Sequence, residues 1–443
     1  MNVYLLTHKS QRELDSYILL ATALLARGLS PFICKDDAFI RNSGKVPRGI
    51  VLQHSPGRHL AKGYGQGSNG RHIIATLNHE VTNAHVLADL RGSKNGTLAT
   101  SDVNFCLGQY DYQRTEVELP RGSTITTSVS GNPRFDLLSS IGYQIYGQSI
   151  GRLHDHYGSF ILCTPSDIVG KGTDGKEDAV RGQRLLTDAI EIARLLPDQR
   201  VVVRVRGSTR NPEQSLIKSL LPQQIPENFA LVSGGSITPW VLASEGVIHD
   251  GSTAGSEGFL AGKRTVFYMP SGLGQADLRP STFVSDFASD IEEVVELLDS
   301  SSNSSTAVDL RLLAKLDGLK LGDWPDTKKD AGLFFFGHDG EVFSVDKIAD
   351  TFARQIDGNV GVEPLKLTRS RLGVYPVKLA AHSKRLASTA LDRTRLSSRG
   401  AAVQGVSLRH VRQFLRKISD CRGSARTYGA SEIGFEFIEV FER

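Results

Sequence analysis

The chain has 443 residues, 52 Lys and Arg against 48 Asp and Glu, and 40% hydrophobic residues. This is a globular composition too long for one ordinary core, so two or three domains are expected. It excludes a membrane span, because no run approaches roughly 18–20 apolar residues, and a disulfide scaffold, because Cys34, Cys106, Cys163 and Cys421 lie far apart without a CxxC pair.

The opening MNVYLLTHKS has too short an apolar run and no basic leader for a secretory signal, so a cytoplasmic setting is expected. VYLL (3–6) leads into ELDSYILLATALLARG, an amphipathic helix that Gly28 should stop. LSPFICK, RGIVLQ and RHIIATL follow as short Val/Ile-rich strands. After a less regular middle, TITTSV (124–129) ends at Gly131-Asn132-Pro133, with a helix from about Arg134. SFILCT (159–164), VVVRVR (201–206), FALVSG (229–234), GVIH (246–249) and RTVFYM (264–269) then alternate with helical stretches. Apolar strands separated by helices imply parallel α/β sheets. The expected fold class is α/β, with two Rossmann-like domains facing a cleft and a basic C-terminal extension. The expected boundaries are 1–155 for the first domain, 156–299 for the second, a linker at 300–330 and the extension at 331–443.

Between Glu363 and Tyr428 there are 15 Lys and Arg against 3 Asp and Glu. GVSLRHVRQFLRKI (405–418) has helical periodicity with one basic face. This implies either a solvated face of a capping subdomain or contact with an anionic membrane surface such as the inner membrane. Nucleic acid is disfavoured, since no nucleic-acid motif or aromatic interleaving accompanies the charge.

Several motif-like strings carry no chemistry. Gly65-Gln66-Gly67-Ser68-Asn69-Gly70 spells GxGxxG but precedes a strand instead of following one. Gly258–Lys263 resembles a P-loop ending, but Arg264 stands where Ser or Thr would hold magnesium. His79 and His85 are six apart, on opposite helix faces, and cannot share a metal from one face. His154-Asp155-His156 reads as a polar surface. No metal site and no cofactor beyond a bound substrate are expected.

What remains lies in VIHDGSTAGSEGFLAGKRTVFY (247–268). Asp250–Gly255 forms a turn from a strand into a helix, the ligand-binding end of an open α/β sheet. Amides at a helix start favour phosphate, and Gly251 and Gly255 allow close approach. Ser252 and Thr253 can donate to phosphate oxygens, or Ser252 can simply cap the helix. Glu257 can accept from ribose hydroxyls, or only complement the helix dipole. Ser233–Trp240 makes a second such turn, with Ser236 and Thr238. A third follows VVVRVR, where Arg204 and Arg206 share a sheet face and suit bidentate anion contacts.

GSITPWVLASEGVIHDGSTAGSEGFLAGKRTVFY resembles the C-terminal donor-binding segment of the bacterial surface-carbohydrate biosynthesis proteins, glycosyltransferases of the GT-B class. The resemblance rests on Gly235, Ser236, Pro239, Trp240, Ala243, Ser244, His249, Gly251, Thr253, Glu257, Gly262 and Lys263. Arg12-Glu13-Leu14 and Ser130–Asp136 resemble the same family, so the likeness spans about residues 1–300. Relatives carry Arg-Pro-His-Pro after the VVVRVR strand, like enzymes using CMP-activated Kdo or sialic acids. This chain has Arg206-Gly207-Ser208-Thr209 instead.

The resemblance implies metal-independent transfer of a sugar from a nucleotide donor, such as a CMP-linked ulosonic acid, to a surface polysaccharide or glycolipid. Arg206, Ser252 and Thr253 are expected at the phosphate, with Arg204 beside them, Glu257 at the ribose, and Ser236 and Thr238 completing the donor set. His249 either donates to the phosphate or fills a core position. The carboxylate at the anomeric carbon is expected from the first domain: Glu80 first, Asp136 second. Arg12 is expected to hold a substrate carboxylate. A GT-B epimerase or hydrolase, or a non-catalytic assembly scaffold, fits the same pocket.

Overall fold

Short Val/Ile-rich runs bounded by glycines become buried parallel strands, and they gather into two sheets. The structure is a computed structural model that describes residues 1–7, 10–54, 72–77, 101–119, 125–166, 168, 175–205, 211–270, 280–299, 334–337, 343–357, 408–422, 428–432 and 437–442. The first lobe holds β1 (Asn2–Thr7), β2 (Ser30–Lys35), β3 (Gly49–His54), β4 (Ile73–Leu77), β5 (Val103–Cys106) and β6 (Thr126–Val129). The second holds β7 (Phe160–Thr164), β8 (Arg200–Val205), β9 (Phe229–Ser233), β10 (Gly246–His249), β11 (Arg264–Tyr268) and β12 (Asp286–Ala288). All pairings among these twelve strands are parallel. The second sheet runs β9-β8-β7-β10-β11-β12, the doubly-wound order of dinucleotide-binding folds.

The helices are α1 (Ser10–Leu25), α2 (Asp36–Asn42), α3 (Gln109–Glu118), α4 (Pro133–Asp136), α5 (Ser140–Tyr157), α6 (Gly175–Leu195), α7 (Asn211–Leu220), α8 (Thr238–Ala243), α9 (Ala254–Leu260), α10 (Pro280–Phe283), α11 (Ile291–Asp299), α12 (Ser344–Asp357) and α13 (Leu408–Arg422). Gly28, at φ 72°, closes α1 as expected: its N–H donates to Leu25 and that of Leu29 to Leu24.

The described elements of the C-terminal extension pack onto the first lobe. β13 (Tyr428–Glu432) and β14 (Phe437–Glu442) form an antiparallel hairpin, and β14 pairs antiparallel with β2. The first sheet is therefore eight-stranded, β13-β14-β2-β1-β3-β4-β5-β6. The apolar stripe Val411, Phe414, Leu415 and Ile418 of α13 is buried in the first-lobe core, with the i, i+3, i+4, i+7 spacing of one helix face. Its basic residues Arg409 and Arg416 stay exposed. Arg27 of α1 ties down α12 through Asp346 at 3.0 Å and Asp350 at 2.5 Å.

A wedge of three phenylalanines joins the lobes. Phe334, Phe335 and Phe336 are buried with Leu107 and Phe135 of the first lobe and Phe160 and Phe283 of the second. Phe335 stacks on Phe283 at 5.5 Å, a contact with the geometry aromatic pairs prefer. The wedge backbone comes so close that a Cβ on Gly108 would lie 2.3 Å from the Phe334 carbonyl oxygen.

Candidate functional site

In the second sheet the strand order reverses between β7 and β10, the crevice where open α/β sheets bind ligands. Asp250 closes its base. The carboxylate is 3% exposed and accepts from the Ser166 N–H at 2.8 Å and the Ser166 hydroxyl at 3.0 Å, linking the ends of the two strands. Burial pushes its pKa up to about 6.

His249 fills the core, the second of the two roles open to it. Its ring is fully buried, Nδ1 accepts the Gly251 N–H at 3.1 Å, and Nε2 lies 2.8 Å from the Ser285 hydroxyl. Ser285 in turn donates to the Ser281 carbonyl at 2.7 Å. That pattern fixes a neutral, Nε2-protonated imidazole that shapes the turn beneath Gly251, whose φ of 105° only glycine adopts readily. Ser252 and Thr253 lie half-buried at the rim.

Arg204 braces the neighbouring turn. Its Nη2 donates to the carbonyls of Gly234 at 2.9 Å and Gly235 at 2.6 Å, and both glycines are left-handed, at φ 83° and 71°. This places Ser236 and Thr238 at the start of α8, on the side facing the first lobe.

Glu257 is 1% exposed and pairs with Arg134 of the first lobe at 3.1 Å, an interdomain ion pair that spacing in the sequence does not reveal. Glu257 Oε2 and Arg134 Nε make no hydrogen bond among the described residues. Beside them, the buried Tyr146 of α5 donates to Asp15 of α1 at 2.5 Å and lies near Ser236 across the junction. Asp15, Arg134, Tyr146, Ser236 and Glu257 thus meet where the lobes touch. Of these, the expected donor set contains Ser236 and Glu257; the other three are additions.

Asp136 does not face this junction as a free carboxylate, which corrects its place as second candidate at the anomeric carbon. It is fully buried, and its two oxygens accept from the Ser344 and Val345 N–H groups at 2.9 Å each, holding the first turn of α12. Burial outweighs those bonds and pushes its pKa up to about 7. Glu80, Arg206 and the side chain of Arg12 lie outside the described residues, as do the Gly65–Gly70, His79 and His85 motifs and most of 300–407. Among the described residues no group of three His, Cys, Asp or Glu could hold a metal, and no helix is long and apolar enough to cross a membrane.

Asp136 and Asp250 both hold protons more tightly folded than unfolded, so folding takes up protons between pH about 4 and about 7. Their stabilisation is complete below the unfolded value near 3.8 and is lost as pH rises through about 6 and about 7. The urea midpoint should therefore rise between pH 7.5 and 5.5, and Asp250→Asn should flatten that slope. An unchanged slope in the variant would remove Asp250 from the account.

No protein-family model matches the chain, and no curated protein matches it. Solved structures do. Staphylococcus aureus MnaA in complex with UDP superposes with a TM-score of 0.50 at 13% identity, over 80% of this chain and 97% of that one. The wall teichoic acid polymerase TagF superposes with 0.50 at 11%, over 81% and 90%. The UDP-GlcNAc 2-epimerase of Methanocaldococcus jannaschii gives 0.48 at 10%, over 80% and 99%. The fold is of GT-B type. Within a GT-B frame, the carboxyl ends of β7–β10 and the Asp15–Tyr146 cluster occupy the two sides of one interdomain junction.

Proposed function

We propose that the chain binds a nucleotide-activated sugar between its lobes and transfers the glycosyl group to a hydroxyl of a surface polysaccharide or glycolipid. The observation that carries this reading is the junction itself: Ser236 and Glu257, at the ligand-binding edge of the second sheet, meet Arg134, Tyr146 and Asp15 of the first lobe. In the step proposed, the acceptor oxygen bonds to the anomeric carbon as the bond from that carbon to the phosphate oxygen breaks. The hydroxyl proton passes to a carboxylate of the first lobe, with Glu80 as the candidate, and the nucleotide leaves on the second lobe.

Gly251 allows close approach, and Ser252 and Thr253 supply backbone and hydroxyl donors for the leaving phosphate, with Arg206 as the added cation. Arg204 contributes by holding the glycine turn. Glu257 takes the ribose hydroxyls, which requires Arg134 to share or release it. The fold likeness to a UDP complex makes UDP the first nucleotide to try, ahead of the CMP that the sequence resemblance suggested. The exposed arginines of α13 are the proposed contact with an anionic acceptor or membrane surface.

A melting-temperature panel with UDP, CMP and GDP tests the binding step: one nucleotide is expected to raise the transition by several degrees at 100-fold excess over its Kd, about 2.7 kcal/mol. No shift with any of them would leave a scaffold. Incubation with the matching nucleotide sugar alone should return it unchanged, whereas a rearranged sugar would identify an epimerase.

A further inference from the structure

The buried ion pair between the lobes is poorly made for a structural lock. Arg134 Nη2 lies 3.1 Å from Glu257 Oε1, yet Nη2, Nε and Glu257 Oε2 all lack a hydrogen bond among the described residues. A guanidinium and a carboxylate that met as a fork would satisfy two N–H groups and both oxygens at once. Buried pairs short of that geometry return less in attraction than their desolvation costs. Native interiors leave few polar atoms unpaired, and three across a single contact mark a place that another group fills.

Both sides of the contact are rigidly mounted. The Asn132 side chain accepts the Arg134 N–H at 2.9 Å, and two residues on, Asp136 is anchored to the first turn of α12. The Arg134 guanidinium lies 5.8 Å from the centre of the Phe135 ring, which is buried against the aromatic wedge. Across the junction, the Glu257 N–H donates to the Thr253 carbonyl at 3.2 Å. The carboxylate therefore stands one helical turn from the residues proposed to hold the phosphate. Arg134 is thus a preorganised cation, carried by the first lobe to the edge of that cradle and covered there by a carboxylate. Arg204, by contrast, directs its Nη2 to the Gly234 and Gly235 carbonyls.

We infer that Arg134 is an anion-binding residue of the junction, with Glu257 occupying it until substrate arrives. The diphosphate of the nucleotide sugar takes the guanidinium, and the carboxylate it displaces is released to the ribose hydroxyls. The identity of the anion rests on the function proposed above; the exchange rests on the geometry of the pair. A nucleoside without phosphate has nothing with which to displace Glu257, so the pair selects for charged donors.

Calorimetry on the full chain with inorganic pyrophosphate isolates the exchange from base and ribose. Glu257→Gln removes the competing charge and should bind pyrophosphate about tenfold more tightly than the wild type. The double variant Arg134→Met, Glu257→Gln leaves the junction uncharged and should bind about tenfold to a hundredfold more weakly than Glu257→Gln. Arg134→Lys in the Glu257→Gln background keeps the charge without the fork and should recover part of that loss. A purely structural pair gives equal affinity in Glu257→Gln and the double variant, and that result overturns the inference. So does the absence of pyrophosphate binding in every chain. If the double variant does not fold, Glu257→Gln against the wild type decides alone, and equal affinity overturns the inference. UDP, CMP and GDP are titrated alongside into the wild type. The expected pyrophosphate response with no nucleotide bound would keep the anion site and end the nucleotide-sugar reading. A nucleotide bound without that response would keep the reading and end the exchange.

Discussion

Replacing Arg134 by methionine is expected to lower the unfolding free energy by about 3–5 kcal/mol, the cost of leaving a buried charge without its partner. Glu257 is 1% exposed, and the Arg134 guanidinium is the cation that faces it, at 3.1 Å. No second cation stands in an ion pair with it among the described residues, and its Oε2 is already without a hydrogen bond. The double variant Arg134→Met, Glu257→Gln should regain most of the loss, because desolvation of a neutral amide costs far less than that of a carboxylate. Chemical denaturation of the wild type, both single variants and the double variant closes the cycle. A coupling energy near zero would mean that the two groups do not feel one another in solution. The same cycle bears on binding: if the ribose takes Glu257, the nucleotide has to compete with Arg134.

Gly255→Ala is the second large effect expected. A methyl at this position would lie 2.2 Å from His249 Nε2 and 2.5 Å from Cδ2. The ring cannot retreat without giving up the Gly251 amide or the Ser285 hydroxyl. Overpacking of this kind costs about 1–3 kcal/mol, and it falls on the turn proposed to carry the phosphate. Thermal unfolding should drop by several degrees, and nucleotide affinity by tenfold or more if the turn shifts by about 1 Å. His249→Ala in the same chain makes room for the methyl and should restore much of the stability without restoring binding. An unaltered melting temperature in Gly255→Ala alone would show that the turn is looser than its hydrogen bonds indicate.

Much of this architecture is legible in the sequence because buried parallel strands are short continuous apolar runs. VYLL, SPFICK, FILCT, VVVRV and RTVFY all become strands within a residue or two of where they read. β5 was hidden: VNFC is four residues long in an irregular stretch. β13 was hidden for a different reason, since YGASE is an edge strand with no apolar run. The hydroxyl-and-glycine turns are also legible, because glycine at positive φ and serine at helix starts are local requirements.

What is not legible is pairing over distance. Arg134 and Glu257 each sit in recognisable motifs, but nothing in either motif says that they meet. Asp136 reads as a carboxylate in a short helix, and only its two amide partners more than 200 residues away show that it anchors α12. For His249 the local sequence allows both a ligand and a core role, and burial with both ring nitrogens engaged decides for the core.

The outermost strands of the first sheet bear on how the molecule comes into being. β14 lies beside β2, yet it is translated after the whole of the second lobe. At ribosomal speeds of ~5–20 residues per second, the β2 margin waits roughly 15–60 s after β6 has emerged. Through that interval its backbone donors and acceptors are open to any extended segment nearby. Newly made chains should therefore depend on holdase chaperones more than their finished stability would suggest.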